Sequence, residues 1–213
     1  MQTEHLISLL SATGRPVDTG RLRRSAWLGA AAALAVTLVL VVALLGTRRD
    51  LADALMTLPV LAKFAFGGGL AAAALILFQR SLRPGLEARP LLPLTALPIA
   101  LVVLAAIVTL IQAPADQWSA LTFGRNWRSC LVFVPLLALC PLAVLGFLAR
   151  RGAPVDRPLT ALSAGLASAG LAIVAYALHC PDDTMPVMAT WYTQAIAISA
   201  TIASLVLPRL LRW

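Results

Sequence analysis

Apolar residues in this chain neither alternate with polar ones nor mark single faces of short helices. They come in six blocks of about twenty, separated by short runs rich in arginine and proline. A helix of roughly 20 apolar residues crosses the hydrocarbon core of a bilayer, and within lipid only a helix or a closed barrel satisfies its own backbone. The pattern predicts spans over residues 26–46, 55–78, 91–111, 131–149, 159–178 and 189–207. The expected fold is all-α, a polytopic membrane bundle of six helices. Residues 1–25 form an N-terminal segment, 26–207 the bundle and 208–213 the C-terminus. The first block starts 25 residues in and is followed by Arg48-Arg49 rather than small residues, so it is expected to stay in place and not be cleaved as a signal peptide. Pro98 and Pro135 fall inside spans, where neighbouring helices can satisfy the carbonyls they free.

Composition supports the lipid reading. The chain has 213 residues, 60% hydrophobic and 12% charged, about half the usual charge of a soluble domain. Its formal net charge of +8 would suit nucleic acid, but no aromatic-basic stripe or nucleic-acid motif accompanies it. Direct nucleic-acid binding is not expected. The arginines instead sort by side. Twelve fall in the N-terminal segment, the second and fourth loops and the C-terminus; Arg48, Arg49, Arg125 and Arg128 fall on the other side. The excess of positive charge in cytoplasmic loops then places both termini in the cytoplasm. Trp27 and Trp213 at one interface, and Trp118, Trp127 and Trp191 at the other, match an aromatic belt. The stretch from 112 to 130 is expected to lie at the interface through Trp118, Leu121, Phe123 and Trp127. Glycines at 67–69 and at 165 and 170 are read as sites of close helix packing.

Residues with chemistry are few. Cys130 at the start of span four and Cys180 just past span five share one depth on antiparallel neighbours, on the non-cytoplasmic side. Cys140 is ten residues further along span four, roughly 15 Å deeper, and reads as a small hydrophobe. The Cys130/Cys180 pair admits three readings: a structural disulfide, a thiol switch, or a metal site completed by His179, Asp182 or Asp183. Thiolate and imidazole suit Zn, Cd or Cu ions. There is no C-x-x-C motif, which argues against a disulfide-generating enzyme. Lys63 is the one ionisable residue inside a span. It either snorkels outward or pairs inward with a polar group near the cysteines. No carboxylate lies within a span to form an ion relay, which weakens a transporter reading. In the N-terminal segment Leu6, Ile7, Leu9 and Leu10 make a short apolar helical face, suited to a membrane surface or to a partner's groove.

Several of these elements together resemble the NrsF family of bacterial multi-pass inner-membrane anti-sigma factors, sigma F type. They are the Leu6-to-Leu10 face followed by Pro16-Val17-Asp18 and the basic run from Arg21 to Arg24. To these add Gly124-Arg125-Asn126-Trp127-Arg128-Ser129-Cys130, Leu178-His179-Cys180-Pro181-Asp182-Asp183, Trp191-Tyr192 and the closing Leu210-Leu211-Arg212-Trp213. The resemblance implies a non-enzymatic regulator with no catalytic residues. Its cytoplasmic tail would hold an extracytoplasmic-function sigma factor at the inner membrane. Cys130 and Cys180 would respond to metal or oxidative stress. The alternatives are a small metal or ion transporter and a membrane thiol oxidoreductase.

Overall fold

The computed structural model describes residues 19–83 and 85–211. Leu6, Ile7, Leu9 and Leu10 lie outside the described residues. Six helices are long and apolar enough to cross a membrane. They are α1 (Thr19–Leu40), α2 (Leu58–Ser81), α3 (Leu92–Gln112), α4 (Trp127–Arg150), α5 (Arg157–Tyr176) and α6 (Thr193–Leu210). No strand occurs among the described residues.

The helix ends depart from the apolar blocks for identifiable reasons. Helix α1 begins before its block, so Arg23 and Arg24 sit on its first turns, and it ends in a wider π turn, Val41–Leu45. Gly46 stops it with φ +77°, a left-handed geometry that glycine adopts without a Cβ penalty. Residues 55–57 belong to a turn and not to α2. Thr57 is extended, and Pro59 sits in the first helical turn, where its missing N–H costs nothing. Helix α4 starts at Trp127, which puts Cys130 inside its first turn. Ahead of α6 the chain is already helical from Met185 through a second π turn, Met188–Tyr192.

Helix α5 is the hub. Of its most apolar stretch 83% is buried, against 22% for α1 and 17% for α3. It packs on α2, α6 and α4; α1 lies mainly on α4, and α3 leans on the outside of α2. Small residues make the central contacts possible. A Cβ at Gly170 would stand 2.6 Å from the Ala71 nitrogen and the Gly67 oxygen on α2, and one at Gly165 would stand 2.7 Å from the Ala203 Cβ on α6. Backbones that close gain dispersion contacts, which drive helix association where lipid removes the hydrophobic force. Gly68, in the same run, faces open space. At one end the loops meet through Ala153 N–H donating to Leu82 O (3.3 Å) and an exposed Arg89–Asp156 pair (2.9 Å). The cysteines occupy the opposite end.

Gly170→Ala should lower stability by about 1–3 kcal/mol, since backbone on α2 must retreat. Gly68→Ala should leave it unchanged or raise it by up to about 1 kcal/mol through helix propensity. Denaturant midpoints of the two variants in detergent micelles test the pair; equal losses would refute the packing argument.

Candidate functional site: a buried thiol pair in a charge-tied hairpin

Between α5 and the Met185 turn the chain reverses in a hairpin, Leu178 to Thr184, that carries Cys180. Helix α5 closes through Cys180 N–H donating to Tyr176 O (3.1 Å), which turns the thiol inward. There Cys180 Sγ meets Cys130 Sγ at 3.6 Å, both residues fully buried and both free thiols. The separation is sulfur–sulfur contact, well beyond the roughly 2.05 Å of a bond. Cys140 is only half-buried and takes no part.

Two tyrosines, the chain's full complement, wall the thiols. Tyr176 and Tyr192 are fully buried with ring centres 6.3 Å apart. Both hydroxyls lie within reach of the sulfurs and have no well-aligned hydrogen-bond partner among the described residues. Sequence reasoning passed over both. The available signal was spacing: Tyr176 stands one helical turn before Cys180, and Tyr192 stands beside Trp191 in a motif already noted.

Lys63 settles its two readings by direct geometry. Its side chain is fully buried and points inward. Nζ donates to Cys180 O (3.2 Å), Asp182 O (2.7 Å) and Asp183 Oδ1 (2.5 Å). An ammonium has three N–H donors, and all three end on the hairpin. Asp183 is shared with Arg48, whose Nη1 reaches Oδ2 at 2.7 Å. Arg48 also grips Asp50 with two further nitrogens, each at 2.8 Å, and its own N–H donates to Leu178 O at 3.0 Å. Asp50, with Asp183 second, raises the already high pKa of this guanidinium against its partial burial. In turn Arg48 holds the Asp50 carboxyl down to about 2. The Cys180 thiol is drawn below its ordinary range, first by its hydrogen bond with Cys130 and then, against burial, by the Lys63 charge.

The other residues proposed as metal ligands are engaged elsewhere. His179 Nδ1 is 3.0 Å from Gly46 O, a contact that places a proton on that nitrogen. Asp182 Oδ2 accepts from the N–H groups of Arg125 (3.0 Å) and Asn126 (2.6 Å). Gly124, at φ +58°, leaves room for that carboxylate: a Cβ there would lie 2.8 Å from Oδ2. Among the described residues no group of three or more His, Cys, Asp or Glu is arranged to hold a metal ion. The stretch before α4 includes a short helix, Trp118–Phe123, whose Phe123 packs against Trp127 and Trp191. Trp127 stacks on Trp191 at 4.4 Å, Phe123 lies 5.6 Å from Trp191, and Trp191 Nε1 donates to Thr122 O at 2.8 Å.

Breaking a buried ion pair from one side costs about 3–5 kcal/mol. Because Asp183 keeps Arg48, Lys63→Met should lower stability by about 3 kcal/mol, read as the denaturant midpoint in micelles; a loss below about 1 kcal/mol would refute the role. Asp50 sets a pH expectation. Its folded pKa lies below the ordinary 3.8, so its contribution is complete above 3.8 and is lost as pH falls through about 2. The Asp50 carboxyl carbon resonance should titrate near 2 and return toward 3.8 in Arg48→Met.

The comparisons with known proteins agree with one another. A family model described as "NrsF: Negative regulator of sigma F" matches residues 10–213. The chain is 32% identical over 213 residues to the "Probable anti-sigma-F factor NrsF" of Azospira oryzae, with 100% of both chains covered. It is 34% identical over 219 residues to the "Anti-sigma-F factor NrsF" of Caulobacter vibrioides, again across the whole of both. No solved structure matches. A match over nearly the full chain, together with two full-length relatives, shows that this protein belongs to the NrsF family of negative regulators of sigma F.

Proposed function

We propose that this protein is an anti-sigma factor of the bacterial inner membrane that releases its sigma factor when the Cys130/Cys180 pair reacts. The relatives are named for sigma F, which supports an extracytoplasmic-function sigma factor as partner. Six apolar helices and the sorting of arginines support insertion in the bilayer with both termini cytoplasmic. The thiol pair then faces the periplasm, where disulfides persist. Leu6, Ile7, Leu9 and Leu10 are the expected sigma-binding face, laid into a groove as an amphipathic segment.

The observation that carries the sensing role is the 3.6 Å gap between two buried thiols. Closing it needs about 1.5 Å of movement, given a bond of roughly 2.05 Å. In that step two S–H bonds break and one S–S bond forms; two protons and two electrons pass to a thiol oxidant, either a hydroperoxide or an azo compound such as diamide. Thiophilic ions are the competing input. Two thiolates on one tetrahedral Zn ion would sit about 3.8 Å apart, from metal–sulfur bonds near 2.3 Å. A closed shell would require His179, Asp182 or Asp183 to leave Gly46, the Arg125 and Asn126 amides, or Lys63 and Arg48. Oxidation needs no such loss, so it is the favoured input.

The test uses full-length protein in nanodiscs with its sigma factor. Diamide should weaken binding about tenfold, a coupling of about 1.4 kcal/mol. The double variant Cys130→Ser/Cys180→Ser should bind normally and ignore diamide. A chain lacking residues 2–20 should not bind in either state. Retained oxidant response in the double variant would refute the sensing role; binding by the truncated chain would refute the tail's role.

A further inference from the structure

The cysteine hairpin is bound to the outer end of α1 by directional polar contacts, whereas α1 is bound to the rest of the bundle by apolar packing. Four polar contacts join the Gly46–Asp50 loop to the hairpin. Arg48 N–H donates to Leu178 O, Arg48 Nη1 reaches both Asp183 Oδ2 and, at 3.5 Å, Cys180 O, and His179 Nδ1 donates to Gly46 O. The Arg48 side chain is 6% exposed and is fixed in orientation by Asp50. Immediately before it, α1 ends in the π turn Val41–Leu45, closed by Gly46 N–H donating to Val41 O at 3.0 Å. A π turn holds one residue more than an α turn and gives a helix a discrete way to shift register.

The body of α1 offers little resistance to such a shift. Its buried face is the stripe Ala26, Ala30, Ala33, Thr37 and Val41, flanked by partly buried Leu34, Leu38 and Leu40 that pack on the core, and most of its other side chains face outward. Thr37 spends its hydroxyl on Ala33 O within the helix, at 2.7 Å. Contacts between apolar side chains have no preferred direction, whereas the charged ties at Arg48 are directional and partly buried, so they are the stiffer connection.

We propose that Arg48, held by Asp183 and Asp50, is the positioning residue that carries a change at Cys180 into α1, and so toward the N-terminal segment that precedes this helix in the chain. The proposal rests on the thiol pair being the sensor. Cys130 is fixed in the first turn of α4, so closing the pair draws the hairpin toward α4. The hairpin takes Arg48 and Gly46 with it, and α1 moves along its alanine stripe. Lys63 holds the other side of the hairpin to α2 and directs the motion toward α1.

The experiment reads the far end of α1. Trp27 lies about 28 Å along the helix from Gly46 at 1.5 Å per residue, beside Ala71 and Leu75 of α2 in a shallow groove. Full-length protein labelled with 5-fluorotryptophan is placed in nanodiscs and oxidised with diamide. Resonances are assigned by Trp27→Phe and Trp127→Phe, and the disulfide is scored by gel-shift alkylation. In the wild type both the Trp127 and Trp27 resonances should move on oxidation. In Arg48→Met the disulfide should form and Trp127 should still move, while Trp27 should stay within a tenth of its wild-type displacement. Arg48→Lys, which keeps the charge but loses the fork, should give an intermediate shift. If Arg48→Met fails to close the disulfide, His179→Leu, which cuts only the Gly46 tie, should at least halve the Trp27 displacement. A Trp27 displacement in Arg48→Met equal to wild type, or in the fallback a full displacement in His179→Leu, would overturn the relay. So would a wild type whose disulfide forms while Trp27 stays still, and either result leaves the sensor standing. A wild type that forms no disulfide with diamide would instead refute the oxidation reading itself.

Discussion

An ammonium buried among apolar helices is tolerable only when each of its N–H groups finds an acceptor, because the ion has given up its water. Lys63 meets that condition on one short stretch of chain, the Cys180 and Asp182 carbonyls and the Asp183 carboxylate. The demand runs both ways. The hairpin cannot leave without stranding the cation, and the carbonyls it presents would otherwise face apolar side chains. This constraint fixes where the hairpin sits above α2. The depth of Cys180, and hence its meeting with Cys130, follows from it. Asp182 completes the placement from the other side by accepting from the amides just ahead of α4, which the left-handed Gly124 leaves open.

Beneath the hairpin the bundle is built for rigidity in one half and freedom in the other. Gly67 against Gly170, and Gly165 against Ala203, bring α2, α5 and α6 to backbone contact. Large relative motion there would break many close contacts at once. Helix α1 lacks such a lock. At Gly29 an added Cβ would meet side chains alone, Leu148 at 2.8 Å and Val144 at 3.4 Å, and the rest of the helix's buried face is alanines, Thr37 and Val41 with partly buried leucines beside them. Stability and mobility are thus separated by side-chain size on different helix faces.

Much of this was legible in the sequence. Six apolar blocks gave six helices, and alternation of direction alone put Cys130 and Cys180 at one end and Cys140 elsewhere. The glycine run was readable as packing, although Gly68 turned out to face open space. Lys63 could be marked as unusual but not resolved, because its partners lie about 120 residues away and depend on how a loop folds. Arg48 was missed for a physical reason. Charge sorting treats every arginine as a unit of topology and cannot see a fork closing on two carboxylates. Helix starts were misplaced where hydropathy and backbone preference disagree, as at Pro59, and the π turns leave no hydropathy signal at all. The two tyrosines needed the tertiary fold to be seen as walls of one chamber.

On the proposed sensing role, a signal from the buried pair leaves through some helix, and the contacts narrow the choice. Helix α4 carries Cys130 itself, so closing the pair draws the hairpin toward it. Helices α2, α5 and α6 are locked by glycine contacts. Helix α3 is as loosely held as α1, but it meets the hairpin region mainly by packing against the Met185–Val187 turn, and apolar contact transmits a small displacement poorly because it has no preferred direction. Among the described residues, α1 alone combines a loose body with directional polar ties at the cysteine end. It is also the helix that the N-terminal segment precedes in sequence. On that proposed role, about 1.5 Å of sulfur movement must become a change in the tail, which calls for a stiff tie at the input and a looser body behind it; Arg48 followed by the alanine stripe fits both.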